Sequence, residues 1–224
     1  MKPRELIATA QIPGHTGELR CYRHDGNYEV YVDHAELMSS RVFGSEQMLA
    51  ELALERLGHR RTPRVLVGGL GMGYTLARTL ELVPEAAKVD VVELVPEIVQ
   101  WNRELFGDLA GRPLEDRRTN LIVGDVREVL ADGAGAYDCV LLDVDNGPDG
   151  LSKPSNDSIY NKVGLRSIHD ALKQGGVLGV WSAGEDKAFE ARLQRARFLV
   201  DQHAVRARRT KGPRRVIWIA MRKG

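Results

Sequence analysis

The sequence predicts an α/β fold: a doubly wound, mostly parallel, seven-stranded sheet with a terminal antiparallel hairpin and a small N-terminal β extension. Three observations predict it. From Arg64 onward, strand patterns and helix patterns alternate along the chain. The central strand patterns are apolar throughout, as parallel strands covered by helices on both faces are. The last two strand patterns follow one another with no helix between them, and a short connection favours an antiparallel pair.

Length and charge exclude several classes of protein. The chain has 224 residues and a net charge of +1, which fits one ordinary domain with a small extension and argues against a dedicated nucleic-acid binder. No apolar run approaches the roughly 20 residues that cross a bilayer, and the N-terminus lacks the apolar stretch of a signal peptide, so we expect a cytoplasmic protein. Two cysteines without zinc-ligand spacing predict neither a disulfide framework nor a metal site.

Residues 1–60 form the predicted N-terminal extension, a β-hairpin followed by a helix. Two strand patterns, Glu18–Arg23 and Tyr28–Val32, flank the turn residues Asp25-Gly26-Asn27. An Asp-Gly between alternating apolar residues is typical of a β-hairpin. The predicted helix that follows has one apolar face, made of Met48, Leu49, Leu52, Ala53 and Leu57.

Residues 61–224 form the predicted doubly wound domain. Its strand patterns are Arg64–Val67, Val89–Glu93, Asn120–Val123, Cys139–Asp143 and Val177–Trp181. Its helix patterns are Tyr74–Leu82, Pro96–Phe106, Val126–Leu130, Ile159–Leu172 and Lys187–Val200. The terminal strands, His203–Arg208 and Val216–Met221, are joined by Arg209-Thr210-Lys211-Gly212-Pro213 and are expected to pair antiparallel.

A glycine-rich turn follows the first buried strand, in Val65-Leu66-Val67-Gly68-Gly69-Leu70-Gly71-Met72-Gly73. Gly69, Gly71 and Gly73 permit positive φ and let the backbone approach a ligand closely, while the next helix offers free N–H groups at its N-terminus. The spacing is GxGxG rather than the GxGxxG of dinucleotide-binding folds, which favours a nucleoside without a pyrophosphate. The alternative is a tight turn from strand to helix that binds nothing.

Acidic residues follow the next two strands. Glu93 ends the second strand pattern, where an acid can accept both ribose hydroxyls of a nucleoside, with Leu94 beside it. Asp125 follows the third strand, where it could accept the exocyclic amine of adenine while Val126 faces the ring. Each acid has a structural alternative, which is to cap the helix that follows it.

Carboxylates cluster after the fourth strand pattern, in Leu142-Asp143-Val144-Asp145-Asn146-Gly147-Pro148. Ligands in open α/β sheets bind at the carboxyl ends of strands, near the point where the strand order reverses. Asp143, with Asp145 in support, is therefore the catalytic candidate that would orient or deprotonate an amine or hydroxyl nucleophile, and Asp143 is also a predicted cofactor-binding residue. The alternative is that these acids merely terminate the strand and shape a turn.

From about Arg64 to Met221, these motifs together resemble the class I S-adenosylmethionine-dependent methyltransferase superfamily, which has a Rossmann-like fold, and within it the spermidine synthase group. The similarity reaches the N-terminal strands and residues 38–48, where that group has an acid- and tyrosine-containing segment. The resemblance implies S-adenosylmethionine, or its decarboxylated form, as the donor. By this resemblance, the group's glycine turn corresponds to Gly68–Gly73 and its ribose-binding acid to Glu93. Its Gly-Asp pair that contacts adenine corresponds to Gly124-Asp125, and its catalytic loop to Asp143–Pro148.

The chain departs from the spermidine synthase pattern at three places. That group has an aspartate inside its glycine turn that holds the amino group of the aminopropyl donor, and Gly71 stands there. Its gating segment carries Asp-Glu and Tyr where this chain has Arg41-Val42 and Ser45, and its second loop acid is displaced to Asp145. A dicationic polyamine needs carboxylates to balance its charges, so these losses count against spermidine synthesis.

The departures favour methyl transfer from S-adenosylmethionine to the nitrogen or oxygen of a small-molecule acceptor. Aminopropyl transfer to a polyamine, from the decarboxylated donor, is the alternative that the overall resemblance keeps open. A metal-assisted O-methyltransferase resembles this chain in Asp143 and Asp145. Its later Asp-Asn ligand pair has no counterpart in Trp181-Ser182-Ala183-Gly184-Glu185, so we expect no metal.

A non-catalytic module that binds S-adenosylmethionine or RNA is an alternative from a different functional class. From His203 onward the chain has no Asp or Glu, and its cationic residues include Arg206, Arg208, Arg209, Lys211, Arg214, Arg215, Arg222 and Lys223. Such a block can follow phosphates, although we interpret it as a solvated hairpin face. Trp181 is interpreted as a packing residue. The unpaired edges of the N-terminal strands suggest a homodimer.

Overall fold

The computed structural model describes residues 3–14, 16–144 and 157–223. Its strands are β1 (Glu5–Gln11), β2 (Glu18–His24), β3 (Asn27–Val32), β4 (Ala35–Ser39), β5 (Arg64–Gly68), β6 (Lys88–Glu93), β7 (Thr119–Val123), β8 (Tyr137–Leu142), β9 (Leu172–Ser182), β10 (Phe198–Arg208) and β11 (Lys211–Arg222). Its α-helices are α1 (Gly44–Leu57), α2 (Tyr74–Leu82), α3 (Pro96–Trp101), α4 (Val126–Asp132), α5 (Asp157–Tyr160), α6 (Lys162–Ala171) and α7 (Lys187–Arg195). None of the helices described is both long and apolar enough to cross a membrane.

The large sheet has seven strands in the order β7-β6-β5-β8-β9-β11-β10. Strands β7, β6, β5, β8 and β9 are parallel to their neighbours, whereas β11 runs antiparallel to both β9 and β10. The predicted fold class is confirmed, including the terminal antiparallel hairpin. The strand order reverses at β5, which has β6 on one side and β8 on the other, and this is where open α/β sheets bind their ligands.

The small sheet is an antiparallel meander in the order β1-β2-β3-β4. The predicted hairpin forms its centre, with Asp25 and Gly26 at positive φ in the turn between β2 and β3. Strands β1 and β4 were missed by the sequence analysis. Helix α1 leaves this sheet and packs on the large one, where the Cδ1 atom of Leu49 lies 2.9 Å from an ideal Cβ position on Gly179. The division into residues 1–60 and 61–224 stays a prediction.

Three predicted helices differ from the observed ones. The predicted helix Lys187–Val200 extends past the end of α7, because Arg197 adopts positive φ and β10 begins at the buried Phe198. The pattern Ile159–Leu172 is divided at Asn161, whose side chain caps α6 by accepting the N–H groups of Val163 and Gly164 at 2.8 and 3.0 Å. The pattern Pro96–Phe106 changes at Trp101 from an α-helix to a π-helical turn, Asn102–Phe106.

Strand β5 separates two hydrophobic cores. Val65 and Val67 face the core that includes Cys21 of the small sheet, while Leu66 faces the core that includes Trp218. Successive residues of a strand point to opposite faces, so a fully apolar strand is what a sheet covered on both sides requires. The small sheet therefore shares a core with one face of the large sheet and covers part of its ligand-binding edge.

Candidate active site

A cavity of about 780 Å³ lies between the small sheet and the carboxyl-terminal edge of the large sheet. Among the residues that line it are the predicted site residues Gly69, Gly71, Glu93, Leu94, Asp125, Val126 and Asp143. Gly73 is instead the N-cap residue of α2. Asp145 lies outside the described residues. The structure thus brings together the side chains that the sequence motifs single out, from strands that are far apart in the chain.

The glycine turn is shaped by three left-handed residues and a close backbone contact. Gly69, Gly71 and Gly73 have φ values of 89, 52 and 87°. A Cβ atom on Gly69 would lie 2.4 Å from the carbonyl oxygen of Asp143, so no larger residue fits there. The amide of Asn102, at the start of the π-helical turn, donates to the carbonyl of Gly71 at 2.7 Å. The close contact with Asp143 and the hydrogen bond from Asn102 therefore fix the conformation of the glycine turn.

Glu93 points into the glycine turn. Its Oε2 atom accepts the N–H of Leu70 and its Oε1 atom accepts the N–H of Val95, both at 2.9 Å. The residue is 7 % exposed, and burial raises its pKa while the backbone N–H groups around it act in the opposite direction. Backbone N–H groups of four residues, Leu70, Gly71, Leu94 and Val95, act on this carboxylate, which lines the cavity as a hydrogen-bond acceptor.

Asp125 caps α4, as the structural alternative predicts. Its Oδ1 atom accepts the N–H of Arg127 at 2.8 Å, and the Arg127 guanidinium pairs with both carboxylate oxygens. This pairing lowers the pKa of Asp125. A cap role and a cavity-lining role are compatible here, because Gly124 and Val126 line the same wall.

Asp143 stands immediately after β8 and faces Thr75 of α2. The Thr75 hydroxyl donates to Asp143 Oδ2 at 2.6 Å and lies 3.4 Å from the backbone carbonyl of Glu46. Glu46 is in the first turn of α1 and lines the same cavity. Two carboxyl groups from different layers of the fold therefore meet at one place in the wall.

Burial raises the pKa values of both carboxyl groups. The pKa of Asp143 is raised to about 6 by burial, against the opposing hydrogen bond from Thr75. The pKa of Glu46 is raised to about 8, first by burial and then by the charge of Asp143, while Arg215 opposes the shift. Both residues remain partly accessible, but only through the confined cavity that they line. Both shifts favour the protonated forms of these carboxyl groups, and a cationic ligand beside them would favour the charged forms instead.

We predict that Glu46→Gln makes the protein less sensitive to alkaline pH. A carboxyl group whose pKa is higher in the folded state than in the unfolded state stabilises the fold at low pH. For Glu46 this contribution is complete below the ordinary pKa of 4.5 and is lost as the pH rises toward about 8. The wild-type free energy of unfolding should therefore fall by a few kcal/mol across this window, since one pKa unit corresponds to about 1.4 kcal/mol. Urea unfolding at a series of pH values measures the slope.

The control is Glu55→Gln, which removes a charge from the exposed side of the same helix. It should leave the wild-type slope between pH 5 and 8 unchanged. Equal slopes for Glu46→Gln and the wild type would show that Glu46 has an ordinary pKa.

The charged side chains of the cavity wall are predominantly acidic. Its described residues include six carboxyl groups and two guanidinium groups, which belong to Asp33, Glu36, Glu46, Glu93, Asp125, Asp143, Arg127 and Arg215. Arg127 is paired with Asp125. Such a wall favours a cationic or partly cationic ligand.

Glu46, Thr75, Trp181 and Arg215 line the cavity but were not singled out as site residues by the sequence analysis. Glu46 lies within the stretch 38–48, which resembles a gating segment, and an acid there was the available signal. The sequence predicts a packing role for Trp181 and a solvated face for the basic block that contains Arg215. Their place at the end of β9 and the start of β11 follows from strand order, which the sequence does not state.

Comparison with known proteins identifies the family. The model of the spermine/spermidine synthase domain matches residues 42–192, which is more than half of the chain. The chain belongs to the spermine/spermidine synthase family. The resemblance inferred from the motifs is thereby confirmed, and the family match includes Glu46 as well as every predicted site residue.

Curated relatives of this spermine/spermidine synthase family member carry two different names. Putrescine N-methyltransferase 1 of Nicotiana tabacum is 31% identical over 137 residues, which is 61% of this chain and 34% of the relative. Polyamine aminopropyltransferase 2 of Pseudomonas aeruginosa is 31% identical over 180 residues, or 72% of this chain and 47% of the relative. The chain thus spans between one third and one half of the length of these relatives.

Solved structures support the family fold. Spermidine synthase from Thermotoga maritima superposes with a TM-score of 0.74 at 17% identity, covering 98% of this chain and 73% of the other. A 1,6-didemethyltoxoflavin-N1-methyltransferase from Burkholderia thailandensis, solved with bound S-adenosylhomocysteine, gives a TM-score of 0.57 at 22% identity, covering 81% and 79%. At these identities the similarity establishes the Rossmann-like methyltransferase fold.

Proposed function

We propose that this chain is an S-adenosylmethionine-dependent methyltransferase that acts on the nitrogen of a small amine. The observation that carries the proposal is Gly71 in the glycine turn. The spermidine synthase pattern has an aspartate there for the amino group of an aminopropyl donor. Here an ideal Cβ on Gly71 meets only the neutral sulfur of Met38, at 3.7 Å. The surroundings of Gly71 would therefore accommodate the methionine carboxylate of S-adenosylmethionine without electrostatic repulsion.

The residues at the ends of β5, β6 and β7 fit the adenosine part of the donor. Gly69 and Gly71 of the glycine turn line the cavity and carry no side chains, so their backbone is open to a ligand. Glu93 would accept the ribose hydroxyls, with Leu94 beside the ribose. Asp125 would accept the adenine amine, with Val126 against the ring. Gly73 would contribute through the helix start that it caps.

An amine acceptor is supported by two carboxyl groups that line the same cavity beside the glycine turn. Asp143 and Glu46 form an acidic pair that a cationic amine would neutralise. Relatives named putrescine N-methyltransferase and polyamine aminopropyltransferase have amine acceptors by name. Asp145 keeps its predicted supporting role as a proposal.

The chain's residues would position the acceptor and remove its proton. An alkylammonium must lose a proton before its nitrogen lone pair can attack, and Asp143 is the carboxylate best placed to take it. Thr75 fixes the orientation of Asp143 through the 2.6 Å hydrogen bond. When bound, S-adenosylmethionine supplies a methyl group whose C–S bond breaks, with the electron pair left on sulfur, as the C–N bond forms. Positioning provides most of the rate, since the leaving group is already activated.

The donor experiment separates the two transfer reactions. The wild type should release S-adenosylhomocysteine when incubated with S-adenosylmethionine and an amine panel, and no methylthioadenosine from the decarboxylated donor. Gly71→Asp should lower kcat/KM for S-adenosylmethionine by about tenfold or more, because a new carboxylate faces the donor's own. Gly111→Asp, at φ 71° with nothing near its Cβ, controls for an aspartate at positive φ. Methylthioadenosine release by the wild type would establish aminopropyl transfer instead.

The cytoplasmic location and the homodimer stay proposals from the sequence. The edge of β1 in the small sheet has no partner strand among the residues described, which is consistent with a second copy pairing there. Size-exclusion chromatography with light scattering tests the dimer, and a monomer at micromolar concentration would exclude it.

A further inference from the structure

Two residues that line the cavity beside the acidic pair carry buried N–H donors. Trp181 is 8 % exposed and Arg215 is half-buried, and both line the cavity. The indole Nε1 of Trp181 and the Nε of Arg215 are buried and have no hydrogen-bond partner in the part of the chain that the structure describes. Buried donors without partners are costly, so such groups in a cavity wall point to a ligand that accepts hydrogen bonds.

The charge of Arg215 is also unmatched. No carboxylate of the described ranges lies within 4 Å of its guanidinium, although Glu46 is near enough for Arg215 to oppose the rise in its pKa. The guanidinium carbon lies 5.5 Å from the centre of the Trp181 ring, and Nη1 donates to the carbonyl of Arg214 at 3.3 Å. Stacking and this hydrogen bond orient the group, as a site for a planar oxyanion requires.

Strand order places these donors at a defined distance from Asp143. Asp143 follows β8, Trp181 lies near the end of β9 opposite Ile217, and Arg215 precedes that residue by two positions in β11. Neighbouring strands are about 4.8 Å apart, and Arg215 is displaced by two residues, or about 7 Å, along β11, so the backbones of Asp143 and Arg215 are roughly 12 Å apart. Their side chains line the same cavity, which leaves room between them for a short chain of a few carbons.

We propose that the acceptor is an amino carboxylate, bound by its amine at Asp143 and Glu46 and by its carboxylate at Arg215 and Trp181. This inference rests on the methyltransferase function proposed above and names its substrate class. A diamine fits less well, because its second ammonium would face the uncompensated guanidinium of Arg215 and leave the Trp181 N–H without an acceptor.

The test compares acceptors of equal length, such as 4-aminobutanoate against 1,4-diaminobutane and 5-aminopentanoate against 1,5-diaminopentane. Release of S-adenosylhomocysteine from S-adenosylmethionine gives kcat/KM for each. The wild type should prefer the amino carboxylate by at least about tenfold, the effect of one charge-assisted hydrogen bond. Arg215→Gln should remove this preference with less than a threefold change for the diamine. Arg214→Gln, an exposed neighbour, is the matched control and should retain the preference.

Trp181→Phe is the second variant, which keeps an aromatic ring and removes the N–H together with the five-membered ring of the indole. It should lower kcat/KM for the amino carboxylate about three- to tenfold more than kcat/KM for the diamine, in line with the loss of one neutral hydrogen bond, because the lost ring volume affects both acceptors. The ratio of the two acceptors keeps the inference testable if Arg215→Gln does not fold.

Four results would overturn the inference. Preferred methylation of diamines would reject it while the methyltransferase function stands. An equal preference in the wild type and Arg215→Gln would do the same. Calorimetry could show that Arg215→Gln weakens the binding of S-adenosylmethionine by the same factor by which it lowers kcat/KM for the amino carboxylate. That result would assign Arg215 to the donor carboxylate. Methylthioadenosine release from the decarboxylated donor, with no methylation of either acceptor class, would reject the proposed function and the inference together.

Discussion

Asp143→Asn should lower kcat by about 100- to 10,000-fold, the range expected for loss of a general base. Asn has the same size and can still accept the hydrogen bond that Thr75 donates at 2.6 Å, so the geometry of the wall should persist. Binding of S-adenosylmethionine, measured by calorimetry, should change less than threefold. Loss of turnover with retained donor binding would place Asp143 in the chemistry of the acceptor rather than in the donor site.

Thr75→Val is the companion variant for Asp143. It removes the hydroxyl that lowers the pKa of Asp143, so the pKa should rise above about 6 and the acidic limb of the kcat/KM profile should move to higher pH. Its kcat at high pH should fall far less than that of Asp143→Asn. If Asp143→Asn kept more than a tenth of wild-type turnover, the assignment of Asp143 as proton acceptor would be wrong.

Gly69→Ala should abolish donor binding and destabilise the fold. The new Cβ would lie 2.4 Å from the carbonyl oxygen of Asp143, a backbone atom that cannot rotate away, at a residue whose φ is 89°. Strain of this kind together with a positive φ costs roughly 2 kcal/mol or more. Chemical unfolding and calorimetry with S-adenosylmethionine measure the two effects. Displacement of Asp143 would also lower turnover.

Gly135→Ala separates the clash from the backbone strain. Gly135 also has positive φ, at 60°, but it is exposed and nothing lies within 4 Å of its Cβ. Its substitution should cost about 1 kcal/mol of stability and leave donor binding unchanged. Equal effects of the two substitutions would show that the tight contact between Gly69 and Asp143 is not needed for the site.

The central strands and the donor side of the site were predictable because their signals are local. Val65-Leu66-Val67 is apolar at every position, as a strand covered on both faces is, and the glycines that follow it limit its length. The glycine turn, Glu93 and Asp125 each follow directly from such a strand, and parallel order brings the strand ends to one edge. The overshoot of the last helix past Arg197 shows the limit, because a short apolar run fits a helix and a strand alike.

The acceptor side could not be predicted because it depends on contacts between distant layers. Glu46 enters the cavity only because α1 packs closely on the large sheet at Gly179. Arg215 reaches the cavity only because β11 is inserted between β9 and β10. In the sequence, Glu46 is one acid in an amphipathic helix and Arg215 one cation among many. Burial and the missing partners of Trp181 and Arg215 are properties of the folded chain.

The most direct test of the account is calorimetry of the purified chain with S-adenosylmethionine. We expect one site per chain, with Kd between about 1 μM and 1 mM, the usual range for enzyme substrates. Glu93→Gln should weaken this binding at least about tenfold, because it removes the charged acceptor for the ribose hydroxyls. Absence of binding to S-adenosylmethionine, its decarboxylated form and methylthioadenosine would contradict the claim that a sulfonium nucleoside occupies the edge of strands β5, β6 and β7.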